Sequence, residues 1–164
     1  LGINIIKEMK KLLFVLVLAT VCVSAKAQID HVSHNADATK YGFVDVNEKW
    51  VVTAQWDNAS WDAKMQVGIV GDFKGPKGAI NVKGEFILPI KYSKIRTNPQ
   101  SQTLLVAEER NGETFWGIFD KTGKNIIPIE YKTVLFNRTS ERFECTTADN
   151  QKKFFSPTGQ EVSE

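Results

Sequence analysis

Short apolar runs separated by turn residues fill most of this chain. From residue 41 onward, aromatic and β-branched residues cluster in short stretches, and Gly, Asp, Asn and Pro lie between the stretches. Apolar runs that are bounded by turn residues in this way predict β-strands joined by tight turns. The pattern therefore predicts an all-β protein.

The clearest example is residues 116–131, which read as a strand, a turn and a second strand. Aromatic and β-branched residues fill 115–119, the turn is 120–123, and apolar residues resume at 125–127. Asp120 suits the first turn position because its carboxylate can accept a hydrogen bond from a backbone N–H two residues later. Gly123 can take the left-handed conformation that a Cβ penalises. The stretch is predicted to form a hairpin.

Copies of this hairpin lie before and after it. Their first strands open at Tyr41, Lys77, Trp116 and Lys152, which are 36, 39 and 36 residues apart. The last two spacings recur at the turn glycines, which are Gly84, Gly123 and Gly159. The first copy has Asn47-Glu48 at that place, where Asn can replace Gly in a left-handed conformation. Self-similarity at this period indicates an array of structural repeats.

The second strand of each hairpin ends at a proline and an aromatic residue. Pro89 and Pro128 occupy the same place in two copies. Proline cannot donate to a β-ladder, so each strand must end, bulge or lie at a sheet edge there. The aromatic residues that follow are Trp56, Tyr92 and Tyr131. We expect the proline to mark the bend that leads to the next element.

A further strand is needed in each repeat to reach the next opening. Residues 65–70, 103–107 and 142–146 have suitable apolar character. We therefore expect an antiparallel β-meander with about three strands per repeat and roughly nine to eleven strands in all. The predicted repeats are near 41–76, 77–115 and 116–151, with a partial copy at 152–164. They would stack as a short solenoid or curl into a partly closed barrel or propeller-like array.

The first 40 residues differ from the repeats. Met9-Lys10-Lys11 precedes an almost wholly apolar run, 12–23, and Ala25-Lys26-Ala27 is a small-x-small cleavage site. This order is typical of a secretory signal peptide, which predicts export to the periplasm or the medium and cleavage after Ala27. Residues 1–8 would be upstream sequence, and 28–40 a polar leader.

Cleavage changes the charge and the cysteine inventory. Removing residues 1–27 takes away four basic residues and one acid and leaves 17 basic and 18 acidic residues. This near-neutral chain shows no basic patch, so we expect no nucleic-acid partner. Cys22 would suit a lipoprotein, but Val21 stands where such signals have a small residue. Without Cys22, Cys145 has no intramolecular disulfide partner.

The hairpin motif resembles the unit of the WG-repeat, or KWG-repeat, family. That unit runs approximately Lys-Trp-Gly-aromatic-Ile-Asp-x-x-Gly-x-x-x-Ile-Pro-x-x-Tyr, and residues 116–131 fit it nearly throughout. The structural positions implied in this chain are Gly42, Asp45, Gly78, Gly84, Pro89, Tyr92, Trp116, Gly117, Asp120, Gly123, Pro128, Tyr131 and Gly159. The resemblance covers about 41–164 and implies a β-rich repeat module of an exported bacterial protein.

Catalysis is not indicated by the sequence. His31 and His34, the only histidines, lie in the predicted leader, and Cys145 suits a strand position. Carboxylates could serve a hydrolase, but the candidates have no recognisable context; they are Glu108, Glu109, Asp57 and Asp62. The recurrent turn residues Asp45, Asn81, Asp120 and Ser156 offer one side chain per turn, whereas Ca²⁺ requires six to eight oxygens. We expect turn caps there, and no metal or cofactor.

Binding is the remaining class. Trp56 and Trp61 flank a polar connection that includes Asp57 and Asn58, so one or both rings could be exposed to a sugar or a protein. We expect a non-enzymatic protein-interaction or scaffold module at the bacterial envelope that does not span the membrane. The alternatives are a glycan or cell-wall binding module and, less favoured by the sequence, a carboxylate hydrolase. The oligomeric state is not indicated.

Overall fold

Residues 27–163 are described by the structure, a computed structural model, and they form fifteen β-strands and no helix. The first sheet contains β1 (His31–His34), β2 (Tyr41–Val44) and β3 (Trp50–Trp56). The second contains β4 (Asn58–Asp62), β5 (Val67–Gly71), β6 (Lys77–Asn81) and β7 (Phe86–Tyr92). The third contains β8 (Lys94–Asn98), β9 (Thr103–Arg110), β10 (Glu113–Asp120) and β11 (Asn125–Tyr131). The fourth contains β12 (Thr133–Asn137), β13 (Arg142–Thr146), β14 (Lys152–Phe155) and β15 (Glu161–Val162).

The predicted all-β array of antiparallel meanders is confirmed, but a full sheet has four strands rather than about three. The strand that the sequence did not reveal is the first of each sheet, namely β4, β8 and β12. Each begins two residues after the closing aromatic residue of the previous hairpin, and β4 and β8 are mostly polar. In β8 only Ile95 is fully buried, so the strand lacks the apolar run that marks the others.

Part of the predicted leader is also a strand. β1 pairs antiparallel with β2, with His31 opposite Val44 and His34 opposite Tyr41. Its partly buried residue Val32 packs against the core between the first two sheets. The predicted signal peptide lies outside the described residues, except for Ala27. None of the described residues forms a helix that could cross a membrane.

A β-bulge recurs where the last two strands of each of the first three sheets pair. Between Trp116 opposite Tyr131 and Ile118 opposite Ile127, β10 has one residue, Gly117, and β11 has three, of which Pro128 is the first. The same shift occurs between β2 and β3 and between β6 and β7. The proline is therefore in a bulge of an edge strand, as expected from its missing donor.

The bulge explains the glycine that follows the first residue of the motif. A Cβ on Gly117 would lie 2.7 Å from the Ile127 carbonyl oxygen and 2.8 Å from the Ile129 amide nitrogen. Gly42 and Gly78 meet the backbone of their partner strands in the same way. Since β15 is only two residues long, no bulge faces the fourth copy, and Lys153 occupies the glycine position there.

The hairpin turns are capped by their first residue, as predicted. The Asp120 Oδ1 atom accepts hydrogen bonds from the backbone N–H groups of Thr122 and Lys124, at 2.8 and 3.0 Å. Asp45 and Asn81 make the corresponding pair of bonds, and the Ser156 hydroxyl accepts one. In the first copy the left-handed residue is Glu48 (φ 59°), so the expectation that Asn would take this conformation is wrong.

The turn glycines also contact the preceding sheet. Gly123 has φ 89°, and a Cβ there would lie 2.1 Å from the Ile87 carbonyl oxygen in β7. Gly159 approaches Ile126 in β11 in the same manner, at 2.2 Å. These glycines are therefore needed twice, for the turn conformation and for the packing of one sheet on the previous one.

Three apolar cores lie between successive sheets. In the core between the third and fourth sheets, Tyr131 is 1% exposed, and its ring centroid lies 5.7 Å from that of Phe155. Tyr92 packs on Phe119 at 5.9 Å between the second and third sheets. The closing aromatic residue of the motif therefore fills the core toward the next sheet, as predicted for Tyr131. Trp116 is only partly buried beside this core.

The outer faces of the first and fourth sheets carry both polar and apolar residues. Val32 of β1 faces the second sheet, so its neighbours His31 and Ser33 point the other way. In β13, Phe143 and Cys145 face the third sheet, and the alternate residues are polar. Apolar residues also lie on these outer faces, since Leu135 is opposite Glu144 and 66% exposed, and Trp50 is opposite Val44 and 38% exposed. The described residues thus form separate antiparallel sheets packed one on the next, not a closed barrel.

Candidate binding clefts

A cleft of about 600 Å³ lies between the first hairpins of the third and fourth sheets; we name it cleft B. Its floor is apolar and comprises Leu105, Ile118, Val134, Phe136 and Phe143. Its polar wall includes Arg96, Thr97, Asn98, Pro99, Gln100 and Thr103 from β8, the following turn and the start of β9. Arg138 and Lys64 complete the lining. No carboxylate is among these described lining residues.

A smaller cleft of about 430 Å³, cleft A, lies between the first hairpins of the second and third sheets. One wall comes from β4, its turn and β5, and comprises Ser60, Trp61, Asp62, Ala63, Lys64, Val67 and Ile69. The other wall comprises Thr97 and Pro99. The β8–β9 hairpin therefore separates the two clefts and lines both.

The first hairpins are held in place by the same type of cap as the motif turns. The Asp62 Oδ1 atom accepts hydrogen bonds from the backbone N–H groups of Lys64 and Met65, at 3.1 and 3.0 Å. Asn98 and Asn137 make equivalent bonds to the residues two and three positions later. The side chains at the cleft rims thus project from turns whose backbones are fixed.

Three cations give the cleft region its charge. Lys64, Arg96 and Arg138 are exposed, and none of them makes an ion pair within residues 27–163. The Arg96 guanidinium lies 5.5 Å from the centre of the Trp116 ring, which is close enough for a cation–π interaction. Trp116, the first residue of the motif, therefore contacts Arg96 at the rim of cleft B.

The four residues predicted to form a binding surface do not come together in one site. Trp56 is buried, with 8% exposure, and its ring packs against Phe43 at 5.9 Å. Asp57 forms an ion pair with Lys40, and Asn58 lies in β4 opposite Gly71. The expectation of an exposed Trp56 is wrong because this residue is the first copy's equivalent of Tyr92 and Tyr131.

Trp61 is the predicted residue that reaches a cleft. It is partly buried, its ring centroid lies 6.1 Å from that of Phe43, and it lines cleft A. Thr97 and Phe136 occupy the equivalent positions of β8 and β12. This position therefore lines a cleft in all three first hairpins, although its side chain differs in each.

The cysteine and the two histidines considered in the sequence analysis lie outside the two clefts. Cys145 lies in β13, as predicted, and it is fully buried, which raises the pKa of its thiol to about 12. His31 lies 3.0 Å from the Asp30 carboxylate and 3.4 Å from the Glu48 carboxylate, and its pKa is raised mainly by the hydrogen bond to Asp30. The His34 imidazole hydrogen-bonds the Asn35 carbonyl oxygen at 2.8 Å. No cluster of three possible metal ligands occurs within residues 27–163.

The carboxylates considered for hydrolysis lie apart. Asp62 caps the β4–β5 turn, and Glu108 pairs with Arg110 at 2.8 Å. Glu109 is exposed near the end of β9, at the opposite end of the sheet from the clefts. These groups are not brought together around a common cavity.

Sequence reasoning missed the cleft cations. Lys64, Arg96 and Arg138 lie in or beside strands that the sequence did not reveal. The available signal was their position, because each cation lies four to eight residues after the closing aromatic residue of a hairpin. Aligning these connections between copies would have exposed them.

A family profile described as a WG-containing repeat matches residues 41–61, 78–100 and 116–138. The chain belongs to the WG-repeat family. Each matched WG unit covers the last two strands of one sheet and the first strand of the next. The WG unit and the sheet are therefore out of phase, and each unit ends at a cleft.

Other comparisons add little about the role of the WG repeats. No curated protein matches the chain. A crystal structure described as that of the eukaryotic initiation factor aligns with a TM-score of 0.44 and 15% sequence identity. The alignment covers 85% of this chain and 43% of that chain, so this chain spans less than half of its length.

Proposed function

We propose that this WG-repeat protein is an exported, non-enzymatic interaction module at the bacterial envelope that binds a protein partner across clefts A and B. The observation that carries the proposal is cleft B, which combines an apolar floor with unpaired cations at its rim. Protein-binding surfaces typically have this combination of a desolvated apolar centre and a polar, charged rim.

The distribution of residues among the copies supports the same surface. Most motif residues form turns, bulges and inter-sheet cores, so few of their side chains reach a cleft, and Ile118 in the floor of cleft B is one that does. The first hairpins carry different residues in each copy, such as Trp61, Thr97 and Phe136, at one repeated position. Variable side chains on a fixed scaffold are suited to specific recognition.

Site-specific photo-crosslinking in cells tests the proposal. A photoreactive residue at Gln100, which lines cleft B, is expected to form an adduct with a discrete protein. The matched control is Glu109, which is exposed at the other end of the same sheet. Equal crosslinking at both positions, or none at either, would contradict the proposed surface.

Export is a separate part of the proposal with its own measurement. Intact mass spectrometry of protein recovered from the envelope or the medium is expected to give a chain that begins at Gln28. A full-length chain confined to the cytoplasm would remove the envelope from the proposal, whatever the clefts bind.

Glycan binding is a second candidate, favoured by the Trp61 ring in cleft A. Aromatic rings bind sugars by stacking, and this ring is partly exposed. Binding on a glycan array that is lost in Trp61→Ala and kept in Arg138→Ala would favour this candidate over a protein partner.

A further inference from the structure

Clefts A and B are built from equivalent positions of successive repeats. The seven residues of the first wall of cleft A, from Ser60 to Ile69, correspond one by one to the β8 and β9 residues that line cleft B, from Arg96 to Leu105. The second walls correspond as well. Thr97 and Pro99 line cleft A, and Phe136 and Arg138, which line cleft B, occupy the equivalent positions one repeat later. The two clefts are therefore copies of one site, in register with the array.

The chemistry of this site is apolar in the centre and cationic at the edge. In cleft B the floor is aliphatic and aromatic, whereas Arg96 and Arg138 lie at the rim. Lys64 lines both clefts and carries the positive charge toward cleft A. The Asp62 carboxylate also lines cleft A, so its negative charge offsets that of Lys64 there.

The hollow beyond cleft B includes one carboxylate. It is lined by Gln100, Ser101, Phe136, Arg138, Glu141 and Pro157, so Glu141 faces the same space as Arg138. The net positive charge is therefore greatest in cleft B, where no described lining residue is a carboxylate.

We propose that clefts A and B bind one extended, acidic peptide segment of the partner, with an apolar side chain in each cleft and carboxylates facing Lys64, Arg96 and Arg138. This inference rests on the proposed function and names the chemistry of the partner. Charge complementarity favours carboxylates, and a floor of aliphatic and aromatic side chains suits apolar side chains such as Leu or Ile. The Pro99 hairpin, which lines both clefts, is the ridge that the segment crosses.

Occupation of two equivalent sites by one segment has a measurable consequence. Once the first apolar side chain is bound, the second binds at a high effective concentration set by the chain between them. Affinity then depends on the spacing of the two apolar residues and passes through a maximum when the spacing matches one repeat. A single-site ligand shows no such maximum.

The test uses synthetic peptides and the full mature chain. Fluorescent peptides carry two Glu-Leu-Glu blocks joined by Gly-Ser linkers of increasing length, and binding is followed by anisotropy. The best linker is expected to improve affinity roughly 100-fold over a peptide with one block. Replacement of all Glu by Gln is expected to weaken binding roughly tenfold or more, with a strong dependence on salt.

Protein variants locate the binding. Arg96→Glu and Arg138→Glu are each expected to weaken the best peptide roughly tenfold, whereas Lys121→Glu, in an exposed motif turn, is expected to leave it unchanged. Circular dichroism and unfolding midpoints check that each variant is folded. Equal effects of Arg138→Glu and Lys121→Glu would overturn the assignment to the clefts.

The outcomes separate this inference from the proposed function. Crosslinking at Gln100 without any preference for acidic over Gln-substituted peptides would reject the acidic segment but keep the protein-binding surface. Equal affinity for all linker lengths would reject the two-cleft arrangement. Tighter binding of an acidic polysaccharide, with polygalacturonate as the probe, would replace the peptide by a glycan.

Discussion

The two halves of each sheet use the same strand geometry for different purposes. The third and fourth strands carry the WG motif, and its residues recur because each has a steric or hydrogen-bonding task. The first and second strands pair in the same antiparallel way, yet their residues at equivalent positions differ, as in Trp61, Thr97 and Phe136. The recurring residues of this chain therefore support the fold, whereas the first hairpins, where equivalent residues differ, line the two clefts.

The largest expected effect is on the closing aromatic residue of the motif. Tyr131→Ala should lower the free energy of unfolding by about 3–5 kcal/mol, because the fully buried ring packs against Phe155. Gln100→Ala, in the cleft rim, should change it by less than about 0.5 kcal/mol. Urea denaturation of both variants measures the contrast. Similar decreases in the free energy of unfolding for both variants would contradict the division into a stabilising half and a cleft-lining half.

The next effect isolates the contact that a turn glycine makes with the previous sheet. Gly112 and Gly123 have similar φ angles, 82° and 89°, but a Cβ on Gly112 would meet no atom within 4 Å. Since Asn tolerates the left-handed conformation, Gly112→Asn should cost little. Gly123→Asn should cost about 2–3 kcal/mol, because its Cβ overlaps the Ile87 carbonyl. Equal midpoints would show that only the turn conformation requires glycine.

A smaller effect is expected where the two halves meet. Trp116→Leu keeps an apolar side chain but removes the ring beneath Arg96, so a loss of about 1 kcal/mol is expected. Tyr41→Leu is the matched control, since Tyr41 is the equivalent half-buried residue of the first copy. The Trp116 variant should also weaken binding of the acidic peptide, and the control should not. A loss of affinity in both variants would count against the role of Trp116.

The smallest effect concerns His31 and the Glu48 turn. The folded-state pKa of His31 is raised, chiefly by the Asp30 hydrogen bond, so protonation stabilises the folded chain at low pH. This contribution is present below the unfolded-state pKa and is lost as the pH rises through the higher folded-state value. His31→Asn should therefore lower the unfolding midpoint more at pH 5 than at pH 9. A difference that does not vary with pH would point to packing instead.

The fold was predictable where local chemistry repeats. The turn caps, the turn glycines and the bulge-associated prolines all follow from backbone requirements that are visible in the sequence. The strand β8 was not predictable from apolar character, because Ile95 is its only buried residue and the neighbours of Ile95 face solvent or a cleft.

The candidate site was less predictable than the fold. An exposed tryptophan and a core tryptophan look alike in sequence, and only the alignment of Trp56 with Tyr131 indicates burial. The cations of the clefts come together through the packing of successive hairpins. That packing depends on contacts between residues far apart in the chain, which a pattern along the chain does not contain.

The offset between the WG unit and the sheet affects how such an array can grow. A unit completes one sheet and starts the next, so each covalent copy spans a sheet boundary. Duplication of one unit together with its second strand would insert a whole sheet while leaving every existing strand pairing intact. It would also add one more cleft in register with the others, so that a longer array would accept a proportionally longer segment.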